Sequence, residues 1–178
     1  MTLAFKDHLV LMAHYNEVMN AKLLIVLAPL SAADLVAPRG AFFGSLLGTL
    51  NHILVADLLW LRRMRPQPYG AGLFPLDVLP DITALTDMPY PDMAAYAPVR
   101  TELDALIRVF IDRLSDEDIA APLSYRNVAG QAHTKTLGLV LSHVFNHQTH
   151  HRGQVTTLLS QMGLDFGVTD LAPLVPSL

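Results

Sequence analysis

At 178 residues and 19.5 kDa the chain is long enough to bury a sizeable core without disulfide or metal staples, and 1–178 reads as one domain. Charged residues make up only 16%, against roughly 25% in an average soluble domain, and apolar types reach 52%, which excludes disorder and points to long, mostly covered elements. A net charge of -4 with a pI near 6.0 argues against an electrostatic grip on nucleic acid, and the absence of cysteine excludes disulfides, thiolate metal sites and a cysteine nucleophile.

The first predicted element carries Phe5, Leu9, Met12, Asn16, Met19, Leu23, Val26 and Leu30. Their alternating spacing of three and four keeps one face of a helix turned toward partner helices. Lys6, Asp7 and His8 interrupt any apolar run near the start, so no secretory signal is expected. The longest apolar runs, such as Leu23 to Leu30, fall well short of the roughly 18 residues of a membrane span. The expectation is a soluble, cytoplasmic protein.

A second helix is predicted from about Gly40 to Arg65, apolar on almost every side and therefore covered by others, with Pro66 and Pro68 ending it. On it, Asp57 reads as a surface acid, Trp60 as a packing ring, and Arg62, Arg63 and Arg65 as a solvated helix end. Seven of the twelve prolines lie between Pro66 and Pro98, so a long crossover connection wraps over the helices. A third helix carries Val99, Leu103, Leu106, Phe110 and Leu114, with Pro98 in its first turn. Residues 123–134 lack helical period, and Ala129-Gly130 suits the turn of a short hairpin. A fourth helix spans about Thr136 to Met162, with Gly163 as its left-handed cap. The fold class is therefore all-α, a four-helix bundle with one long crossover connection.

The chemistry concentrates on two of these helices. His143, His147, His150 and His151 are half of the eight histidines and fall within nine residues. His147 and His151 stand one helical turn apart, with Cβ atoms about 6 Å apart, so two imidazoles can share one ion. They follow the spacing of Val144, Val155, Leu158 and Met162, which points both inward. Buried imidazoles need partners, and a metal ion and a set of backbone carbonyls satisfy the pair alone equally well. His52 is the best third ligand from another helix, because its same-face neighbours Gly48, Thr49 and Ala56 leave room beside its ring. Three imidazoles leave a coordination position open for water or substrate. Asn16 is the one polar residue on the first helix's stripe, lining a pocket or fixing helix register. Asn51 and Asn146 each lie near a candidate ligand and could orient imidazoles, cap loops or bond across helices; Arg152 could contact substrate.

The run Gly48-Thr-Leu-Asn-His-Ile-Leu-Val-Ala-Asp57 followed by Trp60, together with His143-Val-Phe-Asn-His-Gln-Thr-His-His-Arg-Gly-Gln154, resembles the DinB family, the damage-inducible proteins rather than the DNA polymerase of the same name. The resemblance extends to Met12-Ala-His-Tyr-Asn16, Ala41-Phe-Phe-Gly-Ser45 and Gly167-Val-Thr-Asp170. It implies a four-helix bundle, commonly dimeric, holding a divalent metal on three histidines that match His52, His147 and His151. Relatives in the wider superfamily include metal-dependent thiol transferases and a mycothiol-dependent isomerase.

Two functions follow from this. In the first, a divalent ion, zinc or nickel foremost with iron or copper as alternatives, lowers the pKa of a small thiol or a water, which then attacks a small electrophile. Having no cysteine, the chain would receive any sulfur with a low-molecular-weight thiol cofactor. In the second, the chain is a non-catalytic metal-binding homodimer acting in stress response. Small molecules are the expected partners in the first case, with neither membrane nor nucleic acid in either.

Overall fold

The computed structural model describes residues 4–71, 73 and 80–177; the part of the proline-rich connection around Pro75 and the chain ends lie outside the described residues. The architecture is all-α with one two-stranded ribbon. Helix α1 spans Phe5–Leu27, α2 Ala32–Val36, α3 Leu46–Met64, α4 Met93–Arg113, α5 Asp116–Ala120 and α6 Leu137–Gln161, with strands β1 Pro122–Arg126 and β2 Ala132–Thr136 between α5 and α6. The four long helices make the bundle: α1 packs chiefly on α4, α3 on α6, and contacts of α1 with α6 and α3 with α4 close the ring.

Side-chain caps set several boundaries that apolar period alone misplaces. The first helix stops at Leu27 rather than Leu30, since Pro29 follows, and the Ser31 hydroxyl then starts α2 by accepting from the Asp34 amide. The second bundle helix begins at Leu46, not Gly40. The Ser45 hydroxyl accepts from the Gly48 amide at 3.0 Å, and residues 39–44 fold back in a turn in which Arg39 N–H bonds the Gly44 carbonyl at 2.9 Å. Gly48 permits that turn to press on the helix, because a Cβ there would stand 2.1 Å from the Phe43 carbonyl oxygen. The third bundle helix starts five residues before Pro98, where Asp92 accepts from the Ala95 amide at 2.8 Å. Pro98 therefore sits in the second turn, inside the helix. The hairpin forms with Tyr125 opposite His133, and Gly163 adopts φ +73° after the last helix.

The core is mostly leucine, isoleucine and phenylalanine, but a charged network runs through it. Arg100 on α4 reaches Asp57 on α3 at 2.6 Å and holds Asp104 with two nitrogens at 2.7 and 3.1 Å. Asn20 on α1 donates to both Asp104 oxygens at 3.0 Å and to Gln148 on α6 at 3.2 Å; Gln148 donates to Asp57 at 2.8 Å, and Arg152 donates to Gln148 at 3.0 Å. All four bundle helices are tied by this chain of bonds. Asp57 is thus not a surface acid: at 1% exposed it faces the guanidinium that α4 supplies. Burial pushes its carboxyl up to about 6 against the attraction of Arg100. The arginines at the end of α3 also have partners beyond solvent, with Arg62 donating to the Pro80 carbonyl and Arg63 lying over the Trp60 ring. No helix among the described residues is long and apolar enough to cross a membrane.

Candidate metal centre

His52 projects from the middle of α3 toward α6, where His147 and His151 stand on successive turns. Helices α3 and α6 pack directly, so side chains 95 and 99 residues apart in sequence meet: His52 Nε2 lies 3.0 Å from His147 Nε2 and 3.2 Å from His151 Nε2. One ligand atom from each residue lies within 4.8 Å of the other two.

Hydrogen bonds behind the rings decide which nitrogens face inward. His52 Nδ1–H donates to the Leu85 carbonyl at 2.9 Å, and His151 Nδ1–H donates to Gln154 Oε1 at 2.8 Å. With the protons held at Nδ1, both rings present an Nε2 lone pair to the common centre. Two lone pairs facing each other at 3.2 Å repel, and a cation between them removes the repulsion. The spacing suits one: nitrogens bound at about 2.0–2.1 Å to a tetrahedral ion lie roughly 3.3 Å apart. Burial holds all three imidazoles below the ordinary 6.5, with the neighbouring rings adding to the effect, and His147 is brought down to about 3. Neutral rings are the ligating form. The donor set therefore fits a divalent ion, and the cluster could hold one.

The Phe43 ring covers the cluster on one side, stacked on His52 with centroids 3.7 Å apart and edge-on to His151 at 5.5 Å. Beyond His147 stands His143, tilted against it, and then Trp60 and Tyr125 in edge-to-face contacts. Trp60 is thus a half-buried packing ring at the rim.

The remaining residues singled out from sequence stand elsewhere. His147 and His151 are half-buried at the α3–α6 seam, and the inward stripe of α6 is instead Leu141, Phe145, Gln148, Arg152, Val155 and Leu159. Asn51 hydrogen-bonds no imidazole among the described residues; it donates to the Tyr90 carbonyl and accepts from the Tyr90 amide, clamping to α3 the segment that carries the Leu85 carbonyl. Asn146 is exposed. Asn16 is buried on α1, its amide without a hydrogen bond among the described residues, and Arg152 is buried with its guanidinium over the Tyr15 ring of α1. Sequence reasoning missed Leu85, Gln154 and Phe43. Only Gln154 left a trace, standing three residues after His151 on the same face.

Comparison with known proteins gives the family. Protein DinB of Bacillus subtilis (strain 168) is 28% identical over 137 residues, covering 72% of this chain and 70% of that protein. The DinB family model matches residues 5–174, which include every residue of the three-histidine cluster, and the chain belongs to the DinB family.

Proposed function

We propose that His52, His147 and His151 hold one divalent metal ion, zinc or nickel foremost, and that the centre belongs to an enzyme acting on a small electrophilic substrate with a small thiol or water as nucleophile. The observation that carries the reading is the pair of Nδ1–H bonds to Leu85 and Gln154, which leaves Nε2 lone pairs converging with no proton between His52 and His151. A bound divalent ion supplies Lewis acidity, lowering the pKa of whatever ligand completes its coordination so that a nucleophile exists at neutral pH.

The chain's own residues prepare that chemistry. Leu85 and Gln154 fix ring orientation and raise ligand basicity from behind. Depressed imidazole pKa values keep the nitrogens unprotonated at neutral pH, so protons compete weakly for the ligand positions. Phe43 shields one side of the cluster from water. Three neutral ligands leave a bound dication its full charge, which favours an anionic fourth ligand such as a thiolate. Among the described residues no fourth histidine or acid joins the cluster, as an open position requires. The same reading has the chain acting in the cytoplasm and, as its resemblance to the family implies, as a homodimer.

The test is elemental analysis of purified protein followed by a turnover screen. Near-stoichiometric metal in the wild type, lost in His147→Ala, is the expected result; unchanged metal content refutes the ligand set. Metal-dependent turnover of some member of a panel of thiols and electrophiles, abolished in His52→Ala, is expected of the enzyme. Tight metal with no turnover across a broad panel assigns the chain to non-catalytic metal binding.

A further inference from the structure

A second concave site lies on the side of α6 away from the histidines. Arg152, Gly153 and Thr156 of α6, Tyr15 and Lys22 of α1, and Phe166 of the C-terminal segment line a cavity of about 280 Å³. That segment is tied down over α1 by Tyr15, which donates to the Thr169 carbonyl at 2.7 Å, and by Lys22, which donates to the Val168 carbonyl at 3.1 Å. Among the described residues no acidic side chain lines the cavity.

Two features of its lining stand out. Arg152 is only 4% exposed, yet it forms no ion pair among the described residues; its guanidinium donates to the neutral Gln148 and Thr149 oxygens and lies 5.1 Å from the Tyr15 ring centre. Burial pulls its pKa down against a hydrogen bond with the Tyr15 hydroxyl and the more distant charges of Asp104 and Asp57. A guanidinium enclosed without a counter-ion is costly, and an anion from outside would offset that cost. Gly153, independently, sits in the interior of a long helix, where glycine is a poorer helix former than alanine. A Cβ added there would meet nothing within 4 Å, so no packing within the chain calls for its absence. The space it leaves opens on the cavity that Arg152 lines.

We propose that this cavity binds a small organic carboxylate with an apolar body, the carboxylate on Arg152 and Lys22 and the body between Gly153 and Phe166. Lys22 uses one of three ammonium protons on Val168 and has two left for a ligand. The apolar side chains of Met19, Leu23 and Phe166 favour a carbon skeleton over bare phosphate. The site is separate from the metal centre and does not depend on it.

Calorimetric titration of the purified protein with benzoate, its neutral isostere benzamide and inorganic phosphate tests the proposal. Benzoate is expected to bind at least tenfold more tightly than the other two, and equally well after treatment with EDTA. Lys22→Gln should weaken it severalfold. Gly153→Ala carries its own folding control: the ligand-free melting temperature should rise by about 2–4 °C while benzoate affinity falls at least tenfold. The proposal is overturned if benzoate does not bind, if benzamide or phosphate binds as well, or if EDTA abolishes binding. It is equally overturned if Gly153→Ala leaves benzoate affinity intact, and a changed sedimentation mass would then make Gly153 a subunit contact.

Discussion

Asp57→Asn should alter how stability responds to pH, and the sign of that response tests which force governs the buried network. Asp57 Oδ2 receives Arg100 at 2.6 Å and Gln148 at 2.8 Å, while Oδ1 has no hydrogen-bond partner among the described residues. Burial outweighs the guanidinium and pushes the carboxyl from 3.8 to about 6. A carboxyl that is more basic in the folded state than in the unfolded chain contributes its full stability below the unfolded value, and that contribution is lost as pH rises through the folded one. The gap between 3.8 and about 6, at about 1.4 kcal/mol per pH unit, is worth roughly 3 kcal/mol. Asparagine keeps the size and an acceptor but has no proton to lose in this range. Urea unfolding of both proteins at constant ionic strength between pH 4 and 7 reads the titration of Asp57 together with its coupling to Asp104 across Arg100. The stability of the wild type relative to Asp57→Asn should fall by about 2–3 kcal/mol over that interval. A difference that stays level or grows with pH refutes the reasoning, because it would mean that the attraction of Arg100 outweighs desolvation.

Gln148→Met removes the fully buried amide that joins Asp57, Asn20 and Arg152, and should cost about 2–3 kcal/mol in urea unfolding by leaving those groups short of partners. Gln154→Leu frees the His151 Nδ1 proton and should weaken zinc binding about 10–100-fold in competition with a chromophoric chelator, at nearly unchanged stability. Gly48→Ala places a methyl 2.1 Å from the Phe43 carbonyl and should destabilise by about 1–3 kcal/mol; unchanged urea unfolding would mean that the turn over His52 yields freely.

Hydrophobic spacing was enough to read the four bundle helices, and the glycine turn and cap were read from their dipeptides and position. The boundary at Leu46 was not readable by the same means, because Ser45 sets it through a single side-chain bond within a run that already looks helical, and the one at Met93 was hidden because Pro89, Pro91 and Pro98 make the residues around Asp92 read as crossover. The histidine cluster was legible because His147 and His151 repeat at one turn and His52 has small neighbours. Its supports were not: Leu85 contributes a backbone carbonyl, which no side-chain pattern encodes, and Phe43 is placed by a turn that the apolar run conceals. Asp57 was misread because an isolated acid on an apolar helix has no visible counter-charge until α4 packs and brings Arg100 to it. In hindsight Arg100 falls on the stripe of Tyr96, Leu103, Ile107 and Phe110, a cation at a core position that itself demands an acid from a neighbour.

Helix α6 shows why an apolar period with polar insertions is ambiguous. His147 and His151 share one row; Gln148 and Arg152, each one residue on, share another about 100° away. Either row completes a helical repeat with the surrounding valines and leucines, so the letters permit both to face inward. Packing separates them by charge. The row carrying a permanent cation reaches the carboxylates of α3 and α4 through Gln148, and the imidazoles, neutral and able to point lone pairs at one centre, fall at the seam with α3 where access remains. The bundle is therefore held by the apolar core and the buried network, with the histidine cluster at its edge. A metal at that edge would add to a core that is already large, rather than stand in for one.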